Sequence, residues 1–247
     1  MRGGAEGIGC FPTGRHYPGI AHLMRVEAAG LVEEFPGDTR VDELLIAAID
    51  TETTGRDPEV DRAVEIACVI YRGAELVSRH SWLVNPGRPI PKEASDVHKI
   101  DDEAVKDAPP FAAIVEELLT TLAGAVPLAY NADFDRKVLA AELSRTTLSP
   151  ETLPPALRRN IEWIDPLTWA RELQRAEKSR ALSEVAQRLG IPLENAHRAT
   201  DDAEATLHVF AAFQRDPRVP KTYGALIQEQ RRIARLFDEQ HKMWRRP

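Results

Sequence analysis

Three short stretches of the sequence carry residues whose types and spacing could do hydrolytic chemistry: DTETTG at 50–55, NADFD at 131–135 and HRATDD at 197–202. In the first, Asp50 and Glu52 are two positions apart. Residues i and i+2 of a strand point to the same side, so a strand here aims both carboxylates at one point. Burying two unpaired anions together is costly, and a cation between them removes that cost. Carboxylate oxygens are hard ligands, which favours Mg²⁺ or Mn²⁺ over zinc. Gly55 lets the chain turn away sharply and leaves backbone N–H groups free to meet a phosphate or sugar. In the second stretch, Asp133 and Asp135 fall where a strand gives way to a helix, and the helix dipole alone would favour acids there. In the third, His197 precedes Asp202 by five positions. An imidazole titrates nearest neutral pH, as a general base must. A surface histidine beside two helix-start acids is the plainer reading of that stretch alone.

Together the three stretches say more than any one. Each is expected at the C-terminal end of a strand or the start of the following helix, the edge where open α/β sheets bind ligands. Four carboxylates there, from Asp50, Glu52, Asp135 and Asp202, balance the charge of two Mg²⁺ ions. Two such ions can activate a water and stabilise the leaving oxygen of a phosphodiester.

The elements that must position these residues can be traced along the chain. LLIAAID at 44–50 is a short apolar run before a Thr/Gly-rich turn and reads as a buried central strand. VEIACVIY at 64–71 and ELVSRHSWLV at 75–84 follow, joined through Gly73, which predicts an antiparallel hairpin. Residues 85–91 form a proline-rich loop. Apolar residues at helical spacing predict a helix over 111–123, with Phe111, Ile114, Val115, Leu118, Leu119 and Leu122 on one stripe. A fourth strand is expected at 126–130, a helix at 134–143 and a fifth strand at 160–165. Helices follow at 167–175, 181–189 and 201–213, with Gly190 ending the middle one. Antiparallel strands first, then alternating helix and strand, predict an α/β mixed five-stranded sheet flanked by helices.

Composition agrees with a protein that has a real core: 43% of its 247 residues are apolar and 29% are charged. No apolar run approaches the roughly 20 residues that span a bilayer. The N-terminal stretch lacks the apolar core of a signal peptide, so the expected location is cytoplasmic. Cys10 and Cys68 are too scattered for a disulfide framework or a zinc site. The net charge of -7 argues against a general nucleic-acid coat protein. Residues 215–247 nevertheless hold nine Lys/Arg against four Asp/Glu. Three regions are therefore expected. Residues 1–40 read as a leader, with its first 20 residues disordered, Met24 a candidate start and a short helix at 21–35. A catalytic domain covers 41–214, and a separate basic helix covers 215–247.

The three stretches resemble the exonuclease motifs of the DEDD superfamily. The histidine five positions before the last aspartate is similar to the DEDDh branch, whose sister branch has a tyrosine four positions before it. Within that branch the likeness is to the family of the epsilon proofreading subunit of bacterial DNA polymerase III, over about residues 43–213. The resemblance implies an RNase H-like fold. It implies that Asp50, Glu52 and Asp202 bind one metal, that Asp50 bridges to a second, and that Asp135 holds the second directly or through water. His197 would deprotonate the attacking water. Thr51, Thr53, Thr54 and Gly55 would line the terminal nucleotide, with Asn131 beside the scissile end. Phe134 is a candidate contact by the same likeness, although its pattern alone reads as core. VHKI at 97–100 is similar to the family's Val-His-Gly-Ile segment, so His98 is a candidate nucleotide contact. Lys99 stands where that segment has glycine, and Tyr130 where a histidine is common.

The implied activity is a 3′→5′ exonuclease on DNA 3′ ends, single-stranded above all, releasing 5′-mononucleotides in proofreading or repair. An exoribonuclease would need the same acids and metals, because sugar discrimination rests on contacts to the 2′-OH. A catalytically silent nucleic-acid binding module is the third reading. DNA polymerase or a sliding clamp are candidate partners. Gln230, Ile233, Leu236 and Phe237 fit a loose clamp-binding spacing, and equally one stripe of an amphipathic helix.

Overall fold

The computed structural model describes residues 29–193 and 197–244. Three long strands come first: β1 (Leu45–Thr53), β2 (Ala63–Arg72) and β3 (Glu75–Leu83). Two short helices follow, α1 (Lys92–His98) and α2 (Asp102–Val105), then α3 (Phe111–Thr121), β4 (Val126–Leu128) and α4 (Asp133–Ser144). The chain ends with α5 (Pro166–Leu173), α6 (Leu182–Leu189), α7 (Ala199–Phe213) and α8 (Tyr223–Trp244). The sheet order is β3-β2-β1-β4, with β4 parallel to β1 and the other pairs antiparallel.

The sheet therefore has four strands among the described residues, not the expected five. The 160–165 segment makes one parallel bridge, Leu128 to Ile164, and no more. Pro127 in β4 has no N–H to donate, and Asp165 already caps α5, whose first residue is Pro166. The ladder has nowhere to extend.

β1 is the axis of the molecule. Its pleat sends Ile46 and Ala48 into one core layer, which also takes Trp169, Val185, Phe210 and Ile227. Ala47 and Ile49 enter the other layer, with Leu118, Leu122, Val138 and Leu139. Alternation along one strand thus fixes which helices face Asp50 and which face Thr51. α7 reaches the sheet closely because Ala199 and Ala203, both fully buried, carry almost no side chain.

Two expectations change. The described part of the helix expected at 21–35 consists of turns, and the remainder lies outside the described residues. The basic C-terminal helix is not separate. Tyr223, Leu226, Ile227 and Ile233 are buried, and the Tyr223 hydroxyl accepts from the Val32 N–H at 3.2 Å. Gln230 Nε2 donates to the Trp163 carbonyl at 2.8 Å, and its Oε1 accepts from the Asp165 N–H at 2.9 Å. Gln230 and Ile233 are thus committed to the core and Phe237 packs against it, while Leu236 stays 39% exposed, so packing accounts for three of the four positions that also fitted a clamp motif. Apolar content alone could not reveal this, because an amphipathic helix looks the same whichever surface covers it.

A half-buried ion pair ties the residue before β2 to α4. Arg62 Nε and Nη2 reach Glu142 at 2.8 and 3.0 Å, and Glu142 also accepts from the Ala63 N–H at 3.0 Å. Glu142 is 1% exposed. Glu142→Ala leaves Arg62 partly buried without its partner, at a cost of about 3–5 kcal/mol. A melting temperature lowered by roughly 10 °C is expected in a thermal scan. An unchanged value would mean that the pair contributes nothing.

Candidate active site

β1 runs through the first acidic stretch to Thr53, further than the expected 44–50, so Asp50 and Glu52 both stand on the strand. They share its face with Ile46 and Ala48, the face that α7 covers. Asp202 comes down from the first turn of α7. One ligand oxygen from each of Asp50, Glu52 and Asp202 lies within 4.8 Å of the others. Asp202 Oδ2 accepts from the His197 N–H at 3.0 Å. Its Oδ1 is buried with no hydrogen-bond partner among the described residues.

Asp135 approaches from the other layer. It is 3% exposed, and its Oδ1 accepts from Thr51 Oγ1 at 2.8 Å. It is not one of the tight group of three, but its charge is the strongest neighbouring influence on Asp50. Asp133 points outward and pairs with Arg136 and Lys137. Burial therefore separates two acids that capping arguments treated alike.

Electrostatics show what the site lacks. Burial pushes the Asp50 carboxyl well above the usual carboxylate range, and Asp135, Asp202, Glu52 and Glu65 push the same way. Burial, then Asp202, Glu65 and Asp135, raises Glu52 to about 8, with Arg198 opposing. Burial raises Asp135 to about 7 against the Thr51 hydroxyl. Asp202 is raised by burial against the His197 N–H. Hard oxygen donors, like-charged, crowded and with one oxygen unpartnered, fit a divalent cation of the Mg²⁺ type.

This has a measurable consequence. A carboxyl whose folded pKa is raised favours the fold below the unfolded value and loses that contribution as pH rises through the folded one. In chelator, stability should therefore fall from near pH 4.5 to about pH 8, the range that Glu52 spans. Saturating Mg²⁺ should raise the melting temperature by roughly 5–10 °C at pH 8 and by far less at pH 5. A scan in which Mg²⁺ has equal effect at both pH values counts against cation binding here.

Glu65 was missed in the sequence. It is the register partner of Glu52 and only 2% exposed. It accepts from Ser81 Oγ at 2.9 Å and lies 3.4 Å from Arg198 Nη2 and from the Ala199 N–H. β2 and the start of α7 are thereby linked beside His197. The available signal was a single charge in the otherwise apolar 63–71 stretch.

A cavity of about 440 Å³ opens next to the acids, lined among others by Thr51, Glu52, Thr53, Thr54, Gly55, His98 and Phe134. The Thr53 hydroxyl donates to the Gly55 carbonyl, and Thr54 Oγ1 donates to Asp61 at 3.0 Å. Both hydroxyls hold the turn. A Cβ on Gly55 would meet Asp61 Oδ2 at 2.3 Å, so glycine lets the Asp61 carboxylate close over the turn. His98 stands on the same cavity wall. It closes α1, is 2% exposed, and its Nδ1 accepts from the Ile100 N–H at 3.1 Å. Its Nε2 is buried without a hydrogen-bond partner among the described residues, and burial holds the ring below its usual pKa. Lys99 takes the left-handed conformation at φ 62°, where a glycine would be unstrained. Asn131 is exposed, does not line the cavity, and donates its N–H to Asp165 at 3.0 Å. Tyr130 donates its hydroxyl to the Arg180 carbonyl at 2.5 Å. His197 is exposed, with φ 69°.

A mixed sheet between helical layers, with acids gathered where its first strand ends, is an RNase H-like nuclease arrangement. Comparison with known proteins agrees. A family model described as an exonuclease, of the RNase T type, matches residues 47–210. The chain belongs to that exonuclease family. The DNA polymerase III subunit epsilon of Treponema pallidum is 32% identical over 169 residues, covering 68% of this chain and 75% of that protein. The PolC-type DNA polymerase III of Thermotoga maritima is 27% identical over 217 residues, of which this chain spans only 15% of the length. Exonuclease X in complex with 5′ overhanging duplex DNA superposes with a TM-score of 0.56 at 25% identity, over 74% of this chain and 99% of that one. The nuclease domain of 3′hExo, a DEDDh family member bound to rAMP, shares the fold at TM-score 0.61 and 18% identity, over 72% of this chain and 96% of that one. No described helix is long and apolar enough to cross a membrane.

Proposed function

We propose that the chain hydrolyses phosphodiester bonds from the 3′ ends of DNA, releasing 5′-mononucleotides in proofreading or repair. The observation that carries this reading is the group of Asp50, Glu52 and Asp202 within 4.8 Å beside an open cavity. The kinship with an epsilon subunit and the likeness to an exonuclease solved with DNA support DNA as substrate.

In this reading Asp50, Glu52 and Asp202 hold one divalent metal, and Asp135 helps hold a second near Asp50. Two such cations supply a lowered pKa for a water and stabilisation of the leaving oxygen. His197 takes the proton of the attacking water. Its exposure lets it reach solvent, while its own N–H anchors it to Asp202. Thr51 fixes Asp135 by its hydrogen bond. Gly55 and the Thr53–Thr54 turn shape the wall against which the terminal nucleotide lies, with His98 and Phe134 on the same cavity. The catalytic domain covers 41–214 and works in the cytoplasm, and a polymerase is the partner that the epsilon kinship suggests.

The test compares matched 3′-labelled DNA and RNA, single-stranded and duplex, with Mg²⁺, with Mn²⁺ and with chelator, using Asp50→Ala as control. Stepwise shortening of DNA that requires the metal is expected. Degradation of RNA alone would move the reading to an exoribonuclease. Binding without hydrolysis in every lane would indicate a silent binding module.

A further inference from the structure

The acidic edge explains how a bond could be cut, but it offers little attraction to a polyanion that approaches it. Four basic side chains border a groove of about 340 Å³ between α4 and the segment leading to Trp163. Arg136 and Lys137 project from α4, Arg158 and Arg159 from the opposite wall, and Leu143 and Trp163 contribute to the lining. The geometry points to this groove as a second nucleic-acid contact, which takes the phosphodiester backbone of the strand whose 3′ end lies at the carboxylates. The inference rests on the exonuclease reading above and adds the path of the strand.

Charge argues for it first. Asp133 pairs with both Arg136 and Lys137, and Glu33 pairs with Arg158. Arg159 is exposed and has no carboxylate within ion-pair distance among the described residues. Four cations thus face two acids, on a chain whose net charge is -7. The pairs involving Arg136 and Lys137 are solvent-exposed, so they are weak and can yield to a phosphate. Position argues for it second. Arg136 directly follows Asp135, and α4 carries the groove from Arg136 to Leu143, roughly 12 Å along the helix axis from Asp135. Chemistry argues for it third. The polar groups offered are guanidinium and ammonium, which pair with phosphate oxygens and so fix the position of a backbone. The basic segment at 215–247 is less suited. Arg231 and Arg232 are paired with Glu162 and Glu229, and the buried face of α8 fixes it in the core.

The experiment uses the full chain in Mg²⁺ and a fluorescent 20-nucleotide single strand capped at its 3′ end with phosphorothioate linkages. The double variant Lys137→Gln, Arg159→Gln should bind it roughly tenfold more weakly at moderate salt. The slope of log affinity against log salt should shrink by about 1.4, the value for two lost phosphate contacts on a single strand. Lys137→Arg, Arg159→Lys should restore both quantities, which excludes a folding defect. Hydrolysis of an uncapped dinucleotide, too short to reach the groove, should be unchanged in the double variant. Equal affinity and equal salt slope in the wild type and the double-Gln variant overturn the inference. A wild type that binds the capped strand in this charge-dependent way but cleaves neither the uncapped dinucleotide nor an uncapped 20-nucleotide strand upholds the groove and sinks the exonuclease reading.

Discussion

Asp50→Asn is expected to lower turnover about 10⁴-fold while making the metal-free protein more stable. The two effects share one cause. Asp50 is surrounded by Asp135, Asp202, Glu52 and Glu65, and burial together with these charges drives its carboxyl far above the usual range. With no cation present its charge is a liability, and an amide of the same shape removes it. With a cation present the same oxygen is a ligand, and the amide is a poor substitute. A 10⁴-fold loss corresponds to about 5.4 kcal/mol of transition-state stabilisation. Thermal scans in chelator should show a higher melting temperature for Asp50→Asn than for the wild type, and the Mg²⁺-induced rise should largely vanish. If the variant melts lower in chelator, the crowding of charge does not strain the metal-free fold. If it keeps full turnover, Asp50 is not a ligand.

His197→Asn should reduce kcat by about 10²–10⁴, the range for loss of a general base. Asparagine is the suitable replacement because residue 197 has φ 69°, a region that asparagine tolerates better than alanine. The backbone N–H that binds Asp202 at 3.0 Å should then stay in place. Mg²⁺ should therefore still raise the melting temperature of this variant as it does the wild type. The acid limb that an imidazole base gives the pH–rate profile should disappear. A variant that keeps both turnover and that limb assigns the base elsewhere. A variant that loses the Mg²⁺ response shows that His197 supports the ligands rather than accepts a proton.

How much of this was legible beforehand depends on how local each cause is. The pairing of Asp50 with Glu52 needs only the two-residue repeat of a strand, and β1 has it. Helix ends such as Gly190, at φ 68°, follow from one residue's conformational freedom. The fifth strand failed because its fate depends on Pro127 and on the cap at Asp165, which belong to neighbouring elements. α1 and α2 are too short to show a periodicity, so nothing local signals that His98 is buried where α1 closes.

The sequence by itself determined the order and types of the acids, the side of β1 on which Asp50 and Glu52 stand, and the sequence of antiparallel strands before helices. These follow from covalent geometry and periodicity within a few residues. Only the tertiary structure decided that Asp135 is buried against Thr51 while Asp133 faces outward. It alone brought Glu65 opposite Glu52 and joined it to the start of α7. It also drew Gln230 and Ile233 of the last helix into the core. The deciding partners lie from 13 residues away, for Glu65 and Glu52, to 134 away, for Glu65 and Ala199, and burial, which sets both the packing and the pKa shifts, exists only once they have arrived.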